Sequence, residues 1–160
     1  MLFRSASGLT AALEAADAGA ETILVDENPW LGGALAYAGL GADSERTEQR
    51  RQSLIERVHR HPGIRHLASV TCQGLFDDGW IEMTDDRRLY KVRTAATVVA
   101  TGAFEQGIVF RNNDLPGVML MSAAQRLLRL YGVCPGSRIV IVTSHDDGYR
   151  FAFDLMQAGA

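Results

Sequence analysis

Residues 9–19, LTAALEAADAG, place Leu9, Ala12, Leu13 and Ala16 on one face at helical spacing, and Gly19 stands where helices commonly end in the left-handed conformation. Directly behind this stop comes TILV, Thr22 to Val25, a continuous β-branched and apolar run closed by Asp26 and Glu27. A strand without polar alternation is buried on both faces, as parallel strands are when helices or further sheet cover them. Helix into buried strand predicts an α/β crossover.

The spacing inside that crossover carries chemistry. A βαβ unit that grips a dinucleotide needs a strand, a glycine-rich turn and a helix whose amino end faces the pyrophosphate. It also needs a second strand ending in an acid that accepts the ribose hydroxyls. Gly8 opens the helix, and Asp26 ends the next strand 18 residues later. Counting back from Gly8, the first two positions of G-x-G-x-x-G fall on Phe3 and Ser5, so the strand-to-glycine half is not legible. Met1 to Ser5 reads as foreign to the fold, and the expectation is a chain that begins inside such a unit. The doublet Gly32-Gly33 behind the acid suits a close approach of backbone to a cofactor, which only glycine permits, with a plain turn as the alternative. Thr101-Gly102, after the buried run TVVAT at 97–101, follows the same logic.

Between these points, DSERTEQRRQSLIERVHR at 43–60 predicts a helix with a narrow stripe of Leu54, Ile55 and Val58. Its arginines, Arg46, Arg50, Arg51, Arg57 and Arg60, are interleaved with Glu45, Glu48 and Glu56, which points to a solvated, salt-bridged face. From Ile64 to Arg93 the pattern changes to HLASVTCQGLF, WIEMT and RLYKV, an antiparallel meander with Asp78-Gly79 marking one hairpin. Residues 104–116 lack periodicity and read as a crossing between two lobes. A second α/β unit then opens at Ser122, whose spacing to Gln125 is that of a capping box, and its helix continues to Gly132. RIVIVT at 138–143 predicts a third buried strand, and GYRFAFDLMQAG a last helix with Phe151, Leu155 and Ala158 on one side. In the turn SHDDGY, Thr143 and His145 take the first two glycine positions and only Gly148 matches. This unit is expected to survive as structure or to bind its nucleotide in a modified way. His145 is read as a packing or surface residue, with a catalytic base as the alternative.

A net charge of -3 supplies no field to gather phosphate backbones or anionic lipid, so neither nucleic acid nor membrane is expected as a partner. No apolar run approaches the roughly 20 residues of a membrane-spanning helix. The amino end lacks the order of a signal peptide, so a cytoplasmic location is expected. Cys72 and Cys134 form no C-x-x-C pair, and His59, His61 and His66 have no companions spaced as ligands, so no metal is assigned.

Three stretches together, GLTAALEAADAGAETILVDENPWLGG, AATVVATGAFEQGIVFRNNDLPGVMLMSAAQRLLRLYGVCPG and RIVIVTSHDDGYRFAFDLMQAGA, cover more than half the chain and resemble the sarcosine oxidase α subunit family, whose relatives include opine and proline dehydrogenases. The resemblance implies an oxidoreductase that acts on a secondary amine, such as sarcosine, proline or an opine. It implies β and smaller subunits as partners, and FAD or NAD as cofactor. Carried over, the cofactor contacts are Gly8, Asp26, Gly32, Gly33 and Gly102, and Ser7, Glu27, Val70 and Thr101 complete the expected cofactor-binding set. Family members commonly have Arg-Pro after ATGA-x-E, where this chain has Gln106-Gly107. The family's α subunits continue far beyond this length, so the amine site is expected elsewhere and no catalytic residue is assigned. Two alternatives stay open: a pyridine nucleotide-disulfide-type reductase, and a non-catalytic nucleotide-binding subunit.

The fold expected is therefore α/β, a Rossmann-like FAD/NAD(P)-binding parallel sheet with an antiparallel β-meander, plus the start of a second α/β dinucleotide-binding unit. Residues 1–104 would be the first domain lacking its first strand, 105–117 the crossing, and 118–160 the incomplete second unit.

Overall fold

The computed structural model describes residues 2–3, 6–37 and 44–159. In chain order the elements are β1 (Leu2–Phe3), α1 (Ala6–Asp17), β2 (Thr22–Asp26), α2 (Ser44–Arg60), β3 (Ile64–Ala68), β4 (Thr71–Leu75), β5 (Trp80–Thr84), β6 (Leu89–Arg93), β7 (Val99–Ala100), α3 (Met121–Tyr131) and α4 (Asp147–Gln157). Short 3-10 turns stand at Gly33–Ala36 and Asp77–Gly79. Of the helix expected at 43–60, Asp43 lies outside the described residues. The chain divides into two compact units, Met1–Leu35 with Gln49–Gly102, and Ala36–Glu48 with Ala103–Ala160.

The first unit has three layers. Its centre is a four-stranded parallel sheet in the order β3-β2-β1-β7. Leu24 of β2 and Ile64 of β3 face α1 and α2, joining a core of Leu9, Ala12, Leu13, Leu31, Leu54 and Val58. One residue along, Ile23, Val25 and Leu67 point the other way, where Val70, ahead of β4, and Ile81 and Met83 of the antiparallel sheet β4-β5-β6 cover them. Alternation by two along β2 thus fills both cores, the reason this strand shows no polar alternation. Leu24 is 0% exposed, and burying a leucine of this kind contributes about 2 kcal/mol.

Three expectations for this unit are corrected, the first being the buried strand at 97–101, which is a strand only at Val99–Ala100, with Val99 57% exposed. Leu2–Phe3, read as foreign, occupies the central position of the sheet, paired in parallel with β2 (Leu2 opposite Val25) and with β7 (Leu2 opposite Val99, Phe3 opposite Ala100). The place of the first strand is held by two residues, whose backbone pairs with a neighbour on each side. The run HLASVTCQGLF is also two strands in two sheets. Ser69, at φ 55, breaks it, so that β3 stays in the parallel sheet beside β2 while β4 turns into the antiparallel one. At the expected hairpin, Asp78 and Gly79 both have positive φ (58 and 74). A Cβ on Gly79 would strike the Thr94 carbonyl oxygen.

In the second unit, α3 and α4 pack through Ala124, Phe151 and Leu155, with Leu128 and Ile141 against them. Gly132, at φ 66, ends α3, its N–H donating to the Leu128 carbonyl at 3.2 Å. This is the left-handed stop of an αL capping motif. The capping box is corrected. The helix begins at Met121, and Glu105 takes its free amides, with Ser122 N donating to Oε2 at 2.7 Å and Met121 N to Oε1 at 3.1 Å. The third buried strand is corrected as well. Residues 138–143 form no strand among the described residues, and Val140 is 90% exposed. A strand bonds only through neighbours, and no described residues of this unit run beside it. Ala158, expected to face inward with Phe151 and Leu155, is exposed at the end of α4. No helix among the described residues is long and apolar enough to cross a membrane.

Candidate functional site

The candidate residues of the first unit converge because of strand direction. All four strands of the central sheet run parallel, and α1 begins at Ala6, three residues past the end of β1. Its amino end therefore lies at the carboxyl edge of the sheet, where β2 delivers Asp26 and β7 delivers Thr101 and Gly102. β1 stands between β2 and β7, so chain order reverses there, and in open α/β sheets this crevice is where ligands bind. Gly8 is buried in the first turn of α1 and Ser7 is exposed beside it.

Asp26 is 3% exposed. A carboxylate so placed must be hydrogen-bonded, and Asn28 meets the need twice, its backbone N–H donating to Oδ1 at 2.9 Å and its side-chain amide at 3.1 Å. These two bonds fix the plane of the carboxylate. On the main-chain side, Val70 N donates to the Asp26 carbonyl at 3.0 Å and Ser69 N to the Asn28 carbonyl at 3.2 Å. Val70 is thereby held against the end of β2, buried within the core between the two sheets. Glu27 is exposed.

Behind the acid, the chain passes through Leu31, buried in the helix-side core, into Gly32 and Gly33 at φ 104 and 53. Two successive residues in the left-handed region require glycine. A Cβ on Gly32 would stand 2.8 Å from both Cγ and Cδ of Arg51, whose Nη1 donates to the Leu31 carbonyl at 3.2 Å. Arg51 therefore does not belong to the solvated face expected for all five arginines. It continues the buried stripe of Leu54 and Val58 one turn earlier, at i, i+3 and i+7. Gly102, at φ 79, has no described residue within 4 Å of where a Cβ would be.

These features suit a dinucleotide. A helix amino end supplies amides and a positive dipole for phosphate, and an oriented carboxylate accepts hydroxyls. Three glycines at positive φ leave backbone bare of side chains. Of two further members of this arrangement, Asn28 had no place in the sequence expectation and Arg51 was expected on a solvated face. Asp-x-Asn is a visible Asx-turn signal, and Arg51 shares the helical phase of Leu54 and Val58.

In the second unit, the turn after residue 143 closes on itself. Thr143 Oγ1 donates to the His145 carbonyl at 2.8 Å, and a Cβ on Gly148 would meet the Thr143 side chain at 2.5 Å. Gly148 thus serves close helix packing, the role of the third glycine in the fingerprint. His145 is exposed, with Nδ1 3.6 Å from Asp147. Of the other histidines, His61 has a carboxylate partner the sequence reading did not foresee. Gly63 N donates to its Nδ1 at 3.1 Å, so Nε2 carries the proton toward Asp17 Oδ1 at 3.2 Å. Burial, reinforced by His59, pushes the His66 pKa below its ordinary value. Among the described residues no cluster of three His, Cys, Asp or Glu is arranged to hold a metal ion.

Comparison with known proteins fits this geometry. The profile of the FAD dependent oxidoreductase family matches residues 5–123. The chain is 33% identical to the alpha subunit of sarcosine oxidase from Corynebacterium sp. (strain P-1), over 96% of this chain and 18% of that protein. It is 34% identical to its counterpart from Rhizobium meliloti (strain 1021), over 96% of this chain and 17% of that protein. One subunit of the opine oxidase from Agrobacterium tumefaciens (strain Ach5) is 29% identical, over 96% of this chain and 33% of the relative. The chain thus spans less than a fifth of the sarcosine oxidase subunits it matches. Among solved structures, L-proline dehydrogenase from P.horikoshii superposes with a TM-score of 0.82 at 24% identity, covering 99% of this chain and 33% of that one. It shares the fold.

Proposed function

This chain belongs to the FAD dependent oxidoreductase family, and from that premise we propose that its first unit holds the adenosine end of FAD in an enzyme that oxidises a secondary amine. The observation that carries the reading is that the α1 amino end, which follows β1, and Asp26, at the end of the neighbouring β2, lie at one edge of one parallel sheet. The α1 amides at Ser7 and Gly8 take the pyrophosphate, and Asp26, held by Asn28, accepts the ribose hydroxyls. Glu27 and Val70 flank the adenosine. Gly32, Gly33, Thr101 and Gly102 let the cofactor lie against backbone. When bound, the flavin supplies the acceptor for the two electrons removed from the amine.

FAD is favoured over NAD because the matching family is FAD-dependent. The substrate class rests on the relatives: sarcosine, opines and proline, from which they are named, are all secondary amines bearing a carboxylate. Two of those relatives are named as subunits, which supports a hetero-oligomer whose β and smaller subunits complete the amine site.

The test uses the full-length protein purified with its partners. Denaturation should release FAD in a one-to-one ratio with this subunit, and anaerobic addition of sarcosine, proline or an opine should bleach the flavin absorbance. Release of NAD alone, or no bleaching by any amine, would defeat the proposal.

A further inference from the structure

We propose that Arg51 is a positioning residue for the cofactor, the side chain that holds the Gly32-Gly33 turn in the shape a dinucleotide requires. The inference rests on the FAD reading of the site, and it goes beyond that reading by assigning a role to a residue in α2, remote in sequence from the fingerprint.

Two adjacent glycines have more backbone freedom than any other pair, so a turn built on them keeps one shape only if something outside it enforces that shape. On one side Leu31 is anchored, 3% exposed in the core between α1 and α2. On the other side Leu35 N donates to the Gly32 carbonyl at 3.1 Å and begins the 3-10 turn. Between these anchors Arg51 reaches down from α2. Its Nη1 donates to the Leu31 carbonyl at 3.2 Å, and its Cγ and Cδ fill the space a side chain on Gly32 would need.

Arg51 is itself kept in place by the phase of its helix. Leu54 and Val58, three and seven residues on, are buried in the same core, so the whole stripe including Arg51 faces inward. A planar guanidinium on a long apolar stem suits this task, packing with its methylenes and bonding with its tip. A methionine there would keep the packing and lose the bond.

The experiment compares wild type, Arg51→Met and Arg51→Lys in the full-length protein, by amide hydrogen exchange of the apo form and by FAD titration. Arg51→Met should speed exchange at residues 33–35 about tenfold, the loss of one hydrogen bond, while leaving exchange in β2 and α1 unchanged. It should raise the FAD dissociation constant by a similar factor, with the unfolding midpoint moving by less than about 4 °C. Arg51→Lys should fall between the two, and it carries the test if the methionine variant does not fold.

Uniformly faster exchange across α1, β2 and the turn, with FAD affinity unchanged, would show that Arg51 only fills the core and would overturn the proposal. Wild-type protein that takes up no FAD, yet shows the local exchange change on substitution, would sink the cofactor reading alone.

Discussion

Substitutions at Asp26 should separate two roles that one carboxylate plays. In the structure its Oδ1 accepts two bonds from Asn28, at 2.9 and 3.1 Å, while the residue is 3% exposed. Asp26→Ala removes the one oxygen that accepts both bonds and leaves two donors of a half-buried residue without that partner. At about 1 to 3 kcal/mol for each stranded group when fully buried, and less here, the loss should be about 2 kcal/mol. Asp26→Asn keeps a carbonyl oxygen for Asn28 and should cost under about 1 kcal/mol. For FAD the order differs. The ribose loses a charged acceptor in both variants, worth about 3 kcal/mol over two hydroxyls, so the dissociation constant should rise about 100-fold in each. Urea unfolding of the apo chain and fluorescence titration with FAD measure the two quantities separately. The reasoning fails if Asp26→Asn binds FAD like wild type, or if Asp26→Ala is no less stable than Asp26→Asn.

Three further outcomes follow from particular contacts. Glu105→Ala should remove the cap of α3 at a cost of about 1 kcal/mol, lowering the melting temperature by about 3 °C and speeding exchange at Met121 and Ser122, with Glu105→Gln closer to wild type. His66, whose pKa is lowered by burial and by His59, stays neutral in the folded chain below its ordinary value of 6.5, where the unfolded chain takes up a proton. Stability should therefore fall as pH drops through 6.5 and level off below the folded value, and His66→Gln should flatten that slope in urea melts at stepped pH. The Tyr90 hydroxyl, donating at 2.6 Å, and the backbone amides of Arg87 and Arg88 hold the Asp85 carboxyl below the usual range. Tyr90→Phe should raise it toward the ordinary value in a carboxyl-carbon NMR titration.

What could be read from the residues was what local rules decide. The stop at Gly19, the two-sided burial of Thr22 to Val25 and the Asp78-Gly79 turn depend on neighbours a few positions away, and each stands where the pattern put it. Most of the misreadings involve partners distant in sequence. Leu2 and Phe3 are too few to read as a strand, yet they pair because β2 and β7 flank them. The division of 64–75 between two sheets turns on a left-handed serine, a conformation serine does not advertise. Ser122 and Gln125 match a capping box, but a carboxylate 17 residues before Ser122 reaches the helix amides first. RIVIVT has the composition of a strand and lacks neighbours among the described residues. Around the candidate site, Asp26 and the glycines announced themselves by residue type. Asn28 and Arg51, which hold them in place, required the three-dimensional arrangement.

The central claim is that the amino end of α1 and the Asp26 carboxylate grip the two ends of one adenosine diphosphate. A crystal structure of the full-length protein with FAD tests this most directly. The pyrophosphate should lie within hydrogen-bond distance of the backbone amides at Ser7 and Gly8, with the adenosine ribose hydroxyls on Asp26. Adenosine density at any other edge of the molecule, or a ribose out of reach of Asp26, would contradict it.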